Sequence, residues 1–183
     1  MTTNPEPPTY TLDEGEKVAT VMIYTANMLI WGEVVTKEAI RVSTWLRTPA
    51  IPKYIVVHTA NVMTFGSGTP SRPQIFRALH LPSSQVLGFH LKPPARDPLD
   101  YDPNEPMRKM EPATALVGPF RYDGLLRMST HTTLDKFLEV AKETFAPIYE
   151  VEITQPSLPS LGVIRAPYVL ARSEMVLFSP REV

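Results

Sequence analysis

Proline most strongly limits what this chain can fold into. The 183 residues include 20 prolines, about twice the ~5% share found in an average protein. Because proline has no amide hydrogen and fixes its φ angle, it interrupts both helices and interior strands. The frequent prolines therefore predict a mainly β fold with short helices (α+β), in which short strands are joined by rigid turns.

Composition narrows the function classes. Apolar residues make up 43% of the chain, which is enough for a core. The net charge of −1 predicts no strong nucleic-acid binding and no attraction to an anionic membrane. The chain has no cysteine, so disulfides and cysteine-ligated metal sites are excluded. Because the sequence shows neither a signal-peptide pattern nor an apolar run of ~20 residues, we expect a cytoplasmic protein without a membrane segment.

Shifts in composition along the chain predict four segments. A polar arm over residues 1–14 precedes a β-rich module over 15–93, a proline-rich linker over 94–112 and a second β-rich module over 113–183. Prolines keep the linker extended and stiff, and a structureless connection of ~20 residues is unusually long. We therefore expect it to lie as a strap across the surface, where it joins the modules or binds a partner.

The two modules share a spaced pattern. Gly32 precedes Leu46 by 14 residues, and Gly124 precedes Leu138 by the same spacing. The five residues that end at each leucine read aliphatic, polar, polar, aromatic and leucine. Matches in the same order along both modules predict an internal duplication. Modules of this length and strand content predict two tandem small barrel-like or rolled-sheet units.

Each module is predicted to run strand, strand, short helix, strand, loop and strand. The strand at 54–57 is matched with 149–152, and an alternative register matches 54–62 with 168–176. Helices are predicted over 38–47 and 133–145 from apolar residues at helical spacing. The residues expected to be buried on these helices are Val42, Trp45, Leu46, Leu134, Phe137 and Leu138.

Turn signals complete the predicted pattern. Ala26-Asn27 is expected to connect the first two strands, and Tyr122-Asp123-Gly124 is expected to connect the corresponding strands of the second module.

A resemblance adds a fold expectation. The residues that carry it are Ile30-Trp31-Gly32-Glu33-Val34 and Arg41-Val42-Ser43-Thr44-Trp45-Leu46. Over residues 20–91 the chain resembles a family of small bacterial β-rich domains that have a glycine within a strand, followed by Arg-aliphatic-Ser-polar-x-Leu. The second module departs from this pattern. The family has no assigned activity, so the resemblance implies a fold and no chemistry.

Candidate functional residues are few. The four histidines are at least ten residues apart, so their spacing does not predict a metal site. Arg41 lies one helical turn before Trp45, an arrangement that can grip an anion or a ring. Tyr101 and Arg108 place an aromatic and a basic side chain in the linker, and His131 follows the second strand pair. These four residues, Arg41, Tyr101, Arg108 and His131, are the interaction candidates.

The sequence ranks function classes without naming a ligand. It shows neither a nucleophile motif nor a phosphate loop, and we expect no catalytic residues, no metal and no cofactor. A strand-rich chain with a proline-rich linker favours a non-catalytic binding or assembly protein that acts through a protein partner or self-association. The alternative is an enzyme or small-ligand sensor with a pocket between the modules.

Overall fold

The computed structural model describes residues 10–48, 51–66 and 72–181, so most of the predicted N-terminal arm lies outside the described residues. The first half of the chain forms β1 (Glu16–Tyr24), β2 (Met28–Lys37), β3 (Tyr54–Thr64), β4 (Gln74–Pro82) and β5 (Gly88–Leu91). The second half forms β6 (Arg108–Val117), β7 (Phe120–Ser129), β8 (Phe145–Thr154), β9 (Ile164–Arg172) and β10 (Leu177–Pro180). An α-helix, α1, spans Leu134–Val140, and 3₁₀-helices span Val42–Arg47, Ser83–Gln85 and Pro159–Leu161.

The mainly β prediction is confirmed, and the strands follow the alternation of apolar and polar residues. In β7, each second residue from Phe120 to Met128 is buried while its neighbours are at least partly exposed. Such alternation buries one face of a strand and leaves the other face toward solvent. The predicted turn at Ala26-Asn27 is confirmed, because it joins the antiparallel strands β1 and β2.

The described strands form one antiparallel sheet in the order β10-β6-β7-β8-β9-β5-β1-β2-β3-β4. The prediction of tandem barrel-like units is therefore wrong, because both halves belong to one open sheet. Strand β5 pairs with β1 on one side and with β9 on the other, through Gly88 opposite Ala171 and Phe89 opposite Leu170. Because both edges of β5 are occupied, β5 cannot pair with β4 to close the first half into a barrel. The sheet as a whole is not closed into a barrel either.

The two halves also share their cores. One apolar cluster is built on β6 to β9 and includes Met22, Tyr24 and Leu87 from the first half. The other is built on β1 to β5 and includes Phe145 and Leu170 from the second half. Each half therefore buries side chains of the other, which removes apolar surface that a small isolated sheet would leave in water.

Gly32 and Gly124 occupy equivalent irregularities in β2 and β7. The strand register shifts at Gly32 in the β2–β3 pair and at Gly124 in the β7–β8 pair. A Cβ atom would lie 2.6 Å from the His58 carbonyl oxygen at Gly32 and 2.9 Å from the Tyr149 carbonyl oxygen at Gly124. The chain approaches too closely for a side chain, so both bulges require glycine.

The helices are shorter than predicted. The first is a 3₁₀-helix, and its residues Val42, Trp45 and Leu46 are buried as predicted. The second ends at Val140, and no residue of α1 is fully buried, so the prediction for Leu134, Phe137 and Leu138 is wrong. The sequence pattern assigned Phe145 to this helix. Phe145 instead begins β8, where it is fully buried.

The predicted turn at Tyr122-Asp123-Gly124 is also wrong, because these residues lie inside β7. The β6–β7 connection is at Gly118-Pro119, where Gly118 has a φ of 57°. A Cβ atom there would lie 2.6 Å from the Thr25 carbonyl oxygen. Glycine therefore allows this turn to pack against the β1–β2 turn of the other half.

No helix in the described ranges is long and apolar enough to cross a bilayer.

Candidate functional site

Residues 92–107 run between the halves without a strand or helix, and β6 begins at Arg108, inside the segment predicted as a strap. The 3₁₀-helix of the first half holds the start of this segment. The Arg41 guanidinium donates to the carbonyl oxygens of Pro98 and Leu99, the latter at 2.8 Å. The Ser43 amide donates to the Asp97 carboxylate at 2.9 Å. Arg41 thus contacts the linker and does not form a pocket with Trp45, whose ring lies in the core.

Asp100 is the centre of the next set of contacts, which we call the Asp100 cluster. Its carboxylate accepts hydrogen bonds from the hydroxyls of Tyr149 (2.9 Å) and Tyr168 (3.0 Å) and pairs with Arg47 at 3.0 Å. The Asp100 side chain is only 11% exposed. Burial and the neighbouring Asp100 charge raise the pKa of Tyr149 above its usual value, so these hydroxyls stay protonated as donors. The cluster ties the linker to a helix of one half and two strands of the other.

A second cluster follows around Tyr101. Its ring packs edge-on against Tyr149, and the Arg127 guanidinium lies 4.5 Å from the Tyr101 ring centre. Arg127 also pairs with Glu105 at 2.5 Å, and Arg108 pairs with the same carboxylate at 2.9 Å. These two arginines lower the pKa of the Glu105 carboxyl. Tyr101 and Arg108 therefore hold the second part of the linker to the sheet.

His131, the fourth sequence candidate, does not join these clusters. It is exposed in the turn between β7 and α1. The structure thus brings Arg41, Tyr101 and Arg108 to the linker between residues 98 and 108, and leaves His131 apart. In the described residues, no three histidine, aspartate or glutamate side chains come close enough together to hold a metal ion.

A buried polar pair lies where the halves meet. His90 on β5 is fully buried, and its Nε2 atom is 3.0 Å from the Tyr24 hydroxyl. The His90 Nδ1 atom is 2.7 Å from the Leu91 carbonyl oxygen, which can only accept. Nδ1 therefore carries the proton and Nε2 accepts from Tyr24. Burial lowers the pKa of His90 to about 4, so the ring is neutral near pH 7.

A cleft of about 550 Å³ opens between the halves. One wall comes from the end of the first 3₁₀-helix and the turn after β4, and the other from the segment before β8 and the end of β9. The polar and charged side chains that line the cleft include Arg47, Ser84, Lys142, Glu143, Thr144 and Arg172. Sequence reasoning did not identify these residues, because they are separated by up to 125 positions and only the fold brings them together.

The two ends of the sheet are the third candidate surface. Strand β4 pairs with β3, and β10 pairs with β6; no described strand pairs with the other edge of either. On β4, Ile75 is 73% exposed. On β10, Leu177 is 70% exposed, and it lies opposite the exposed Leu116 of β6. Unpaired backbone groups beside apolar side chains are suited to strand addition.

Comparison of the chain with protein-family models, with curated proteins and with solved structures gave no match.

Proposed function

We propose that this protein is a non-catalytic assembly module in which edge strand β10 of one chain pairs with edge strand β4 of another copy. The observation that carries the proposal is the presence of an unpaired edge at each end of one sheet, on β4 and on β10, where Leu177 is 70% exposed. Natural proteins usually protect long apolar edges with charges, proline or a covering segment. Strand β4 spans nine residues, with Arg77 as its one arginine and proline only at its last position, whereas β10 spans four residues and ends at Pro180.

The matching strand orders of the two halves support this choice of partner. Adding five to each strand number converts the order β5-β1-β2-β3-β4 of the first half into the order β10-β6-β7-β8-β9 of the second. Gly32 and Gly124 then occupy matching bulges. The same correspondence matches residues 54–57 with 145–148, a register that differs from both alternatives derived from the sequence.

Under this correspondence, the chain already contains the proposed interface once. Strand β5 pairs with β9 between the halves, and their counterparts are β10 and β4, the two strands with a free edge. Transferring the register of the internal pair places Leu177 opposite Leu81 and Phe178 opposite His80 of the second copy. A second copy is therefore the partner whose edge has the matching geometry, and repeated use of one edge geometry is how identical chains assemble.

The candidate residues from the sequence are consistent with a non-catalytic role. Arg41, Tyr101 and Arg108 are engaged in hydrogen bonds, ring contacts or ion pairs that hold the linker. The cytoplasmic location remains a prediction from the sequence.

The test is the molar mass in solution, measured by light scattering over a range of protein concentrations. We expect dimers or longer assemblies for the natural chain and monomers for both Leu177→Lys and Ala78→Lys, because each places a charge at one of the two edges. Leu177 and Ala78 are both exposed, so the fold should persist. Val140→Lys is the matched control: Val140 is an apolar residue of α1 that is 67% exposed, and the change should leave assembly intact.

Mixing the two edge variants identifies which strands pair. Leu177→Lys chains keep a free β4 and Ala78→Lys chains keep a free β10, so the mixture should form a heterodimer through one interface. If β4 paired with β4 instead, the Leu177→Lys variant would form homodimers and the Ala78→Lys variant would not. A natural chain that stays monomeric at all concentrations, or a mixture without heterodimers, would overturn the proposal.

A further inference from the structure

Arg172 is the most unusual charge in the cleft between the halves. Its Nε atom donates to the Val86 carbonyl oxygen at 2.7 Å, and an Nη atom donates to the Ser83 carbonyl oxygen at 2.6 Å. Its guanidinium lies 4.6 Å from the centre of the Phe145 ring. No carboxylate among the described residues forms an ion pair with Arg172, although the side chain is partly buried. Neutral groups therefore fix the orientation of the Arg172 guanidinium, and the Glu174 carboxylate acts on its charge through space without forming an ion pair.

Arg47 in the same cleft shows the opposite arrangement. It pairs with Asp100 at 3.0 Å, and its Nε atom donates to Glu143 at 2.7 Å. Two carboxylates thus neutralise Arg47, while Arg172 and the exposed Lys142 keep their charge. Among the residues that line the cleft, Arg47, Lys142 and Arg172 are basic and Glu143 is acidic. A concave lining with an excess of basic side chains concentrates anions.

The remaining lining groups suit an oxyanion. A guanidinium has five N–H donors, of which two are accounted for in Arg172 by the carbonyl contacts. Ser84 and Thr144 line the same cleft and supply hydroxyl groups. The volume of about 550 Å³ falls in the range of small-molecule sites, so the cleft is large enough for a small molecule.

We propose that this cleft binds a small molecule through a carboxylate or phosphate group, with Arg172 as the main anchor and Lys142 as a second positive charge at the opening. The cleft adjoins the end of β4, because Ser83 and Ser84 directly follow that strand. It gives the protein a ligand-dependent function beyond assembly.

The test is titration calorimetry with inorganic phosphate and with citrate, at an ionic strength held constant with chloride. We expect saturable binding of at least one of the two anions, and the tighter one identifies the group that the cleft recognises. Lys142→Gln should weaken binding by about threefold, as expected for loss of an exposed charge. Arg172→Lys should weaken it by about tenfold, because lysine lacks the planar set of donors.

A variant with the opposite expected effect makes the test independent of folding defects. Glu143→Gln removes the exposed carboxylate that competes with a bound anion for Arg47, so it should tighten anion binding by about threefold. Lys136→Gln, a change of an exposed lysine on α1 away from the cleft lining, should have no effect. Repeating the titration on Leu177→Lys chains separates this site from assembly. Absence of saturable binding by both anions, or affinities that the Lys142, Arg172 and Glu143 changes leave unaltered, would overturn the proposal.

Discussion

His90 should make the protein less stable as the pH is lowered from 7 to 5. The unfolded chain binds a proton on this ring near pH 6.5, whereas burial lowers the pKa of His90 in the folded chain to about 4. Between these values the unfolded state binds more protons, so the free energy of unfolding falls as the pH falls. The two pKa values give a loss of about 2 kcal/mol between pH 7 and pH 5 from this group alone.

The geometry explains why the folded protein resists this proton. The proton would have to enter at Nε2, the atom that now accepts from the Tyr24 hydroxyl at 3.0 Å. Tyr24 would then have to accept instead, and its own hydrogen would lose its partner. Tyr24 packs against Tyr122, and burial raises the pKa of the hydroxyls of both above their usual value, so neither supplies a compensating negative charge.

The assay is urea unfolding of the natural chain and His90→Gln at several pH values between 7 and 5. Glutamine can accept from Tyr24 but does not titrate, so the variant should lose about 2 kcal/mol less over this range. His58→Gln is the control. Burial also lowers the pKa of His58, but that residue is only half-buried, so removing it should change the pH dependence less. Identical pH dependence for the natural chain and His90→Gln would refute the reasoning.

Three further predictions concern stability and are checked by urea or thermal unfolding. The buried Tyr122 hydroxyl has no described hydrogen-bond partner and lies 2.4 Å from where a Cβ of residue 88 would be. Tyr122→Phe should therefore stabilise the fold by about 1 kcal/mol. Gly88→Ala should destabilise it by about 3 kcal/mol in the natural chain, and by clearly less in a chain that also carries Tyr122→Phe. Additive effects of the two substitutions would contradict a contact between the Tyr122 hydroxyl and a side chain at position 88. Asp100→Ala should lower the free energy of unfolding by about 3 kcal/mol, because it leaves three donors without their acceptor. Rapid proteolysis within residues 94–107 should accompany this loss. An unchanged melting temperature would exclude the Asp100 cluster as a support of the linker. Trp45→Ala should cost about 3–5 kcal/mol and Phe137→Ala about 1 kcal/mol, because only Trp45 is buried; equal losses would contradict the difference in burial.

The sequence predicted the strands of the first half well because their signals are local. Alternation and β-branched residues predict strands over residues 16–25, 28–36 and 53–64, and β1, β2 and β3 differ from these ranges by one residue at one end each. The same kind of local signal gave a wrong prediction in the second half. Asp123-Gly124 has the composition of a hairpin turn, but Gly124 is there because β8 passes too close for a side chain. A turn and a bulge can both require glycine, and only the long-range pairing distinguishes them.

The predicted end of the second helix, at residue 145, is wrong for a related reason. Phe145 continues the apolar spacing of Leu134, Phe137 and Leu138, and it also starts an alternating pattern with buried residues of β8. A short apolar run is compatible with both periods. Burial in the sheet prevails, because Phe145 reaches the core of the first half, whereas Leu134 and Phe137 of α1 pack against the other core only partly buried.

Neither the Asp100 cluster nor the cleft had a signal in the sequence. Arg47, Asp100, Tyr149 and Tyr168 come from a helix, the linker and two strands, with no fixed spacing that a motif could capture. Of this region, the sequence predicted a proline-rich segment lying on a surface, with Arg41, Tyr101 and Arg108 as interaction candidates. It offered a pocket between the modules as an alternative, without naming the residues that line it.

The contacts between the halves explain how an open sheet of ten strands can be stable. Strands β5 and β9 share only two paired positions, which is little backbone hydrogen bonding for a junction. The side chains add far more: each core takes fully buried residues from the other half, Tyr24 in one direction and Phe145 with Leu170 in the other. The linker then fixes the same arrangement from outside through Asp100. Burial at the junction comes from side chains that each half inserts into the core of the other, and not from long paired strands. The same short pairing between β10 and β4 of separate chains would therefore be weaker. Such an interface would form at high protein concentration and dissociate at low concentration.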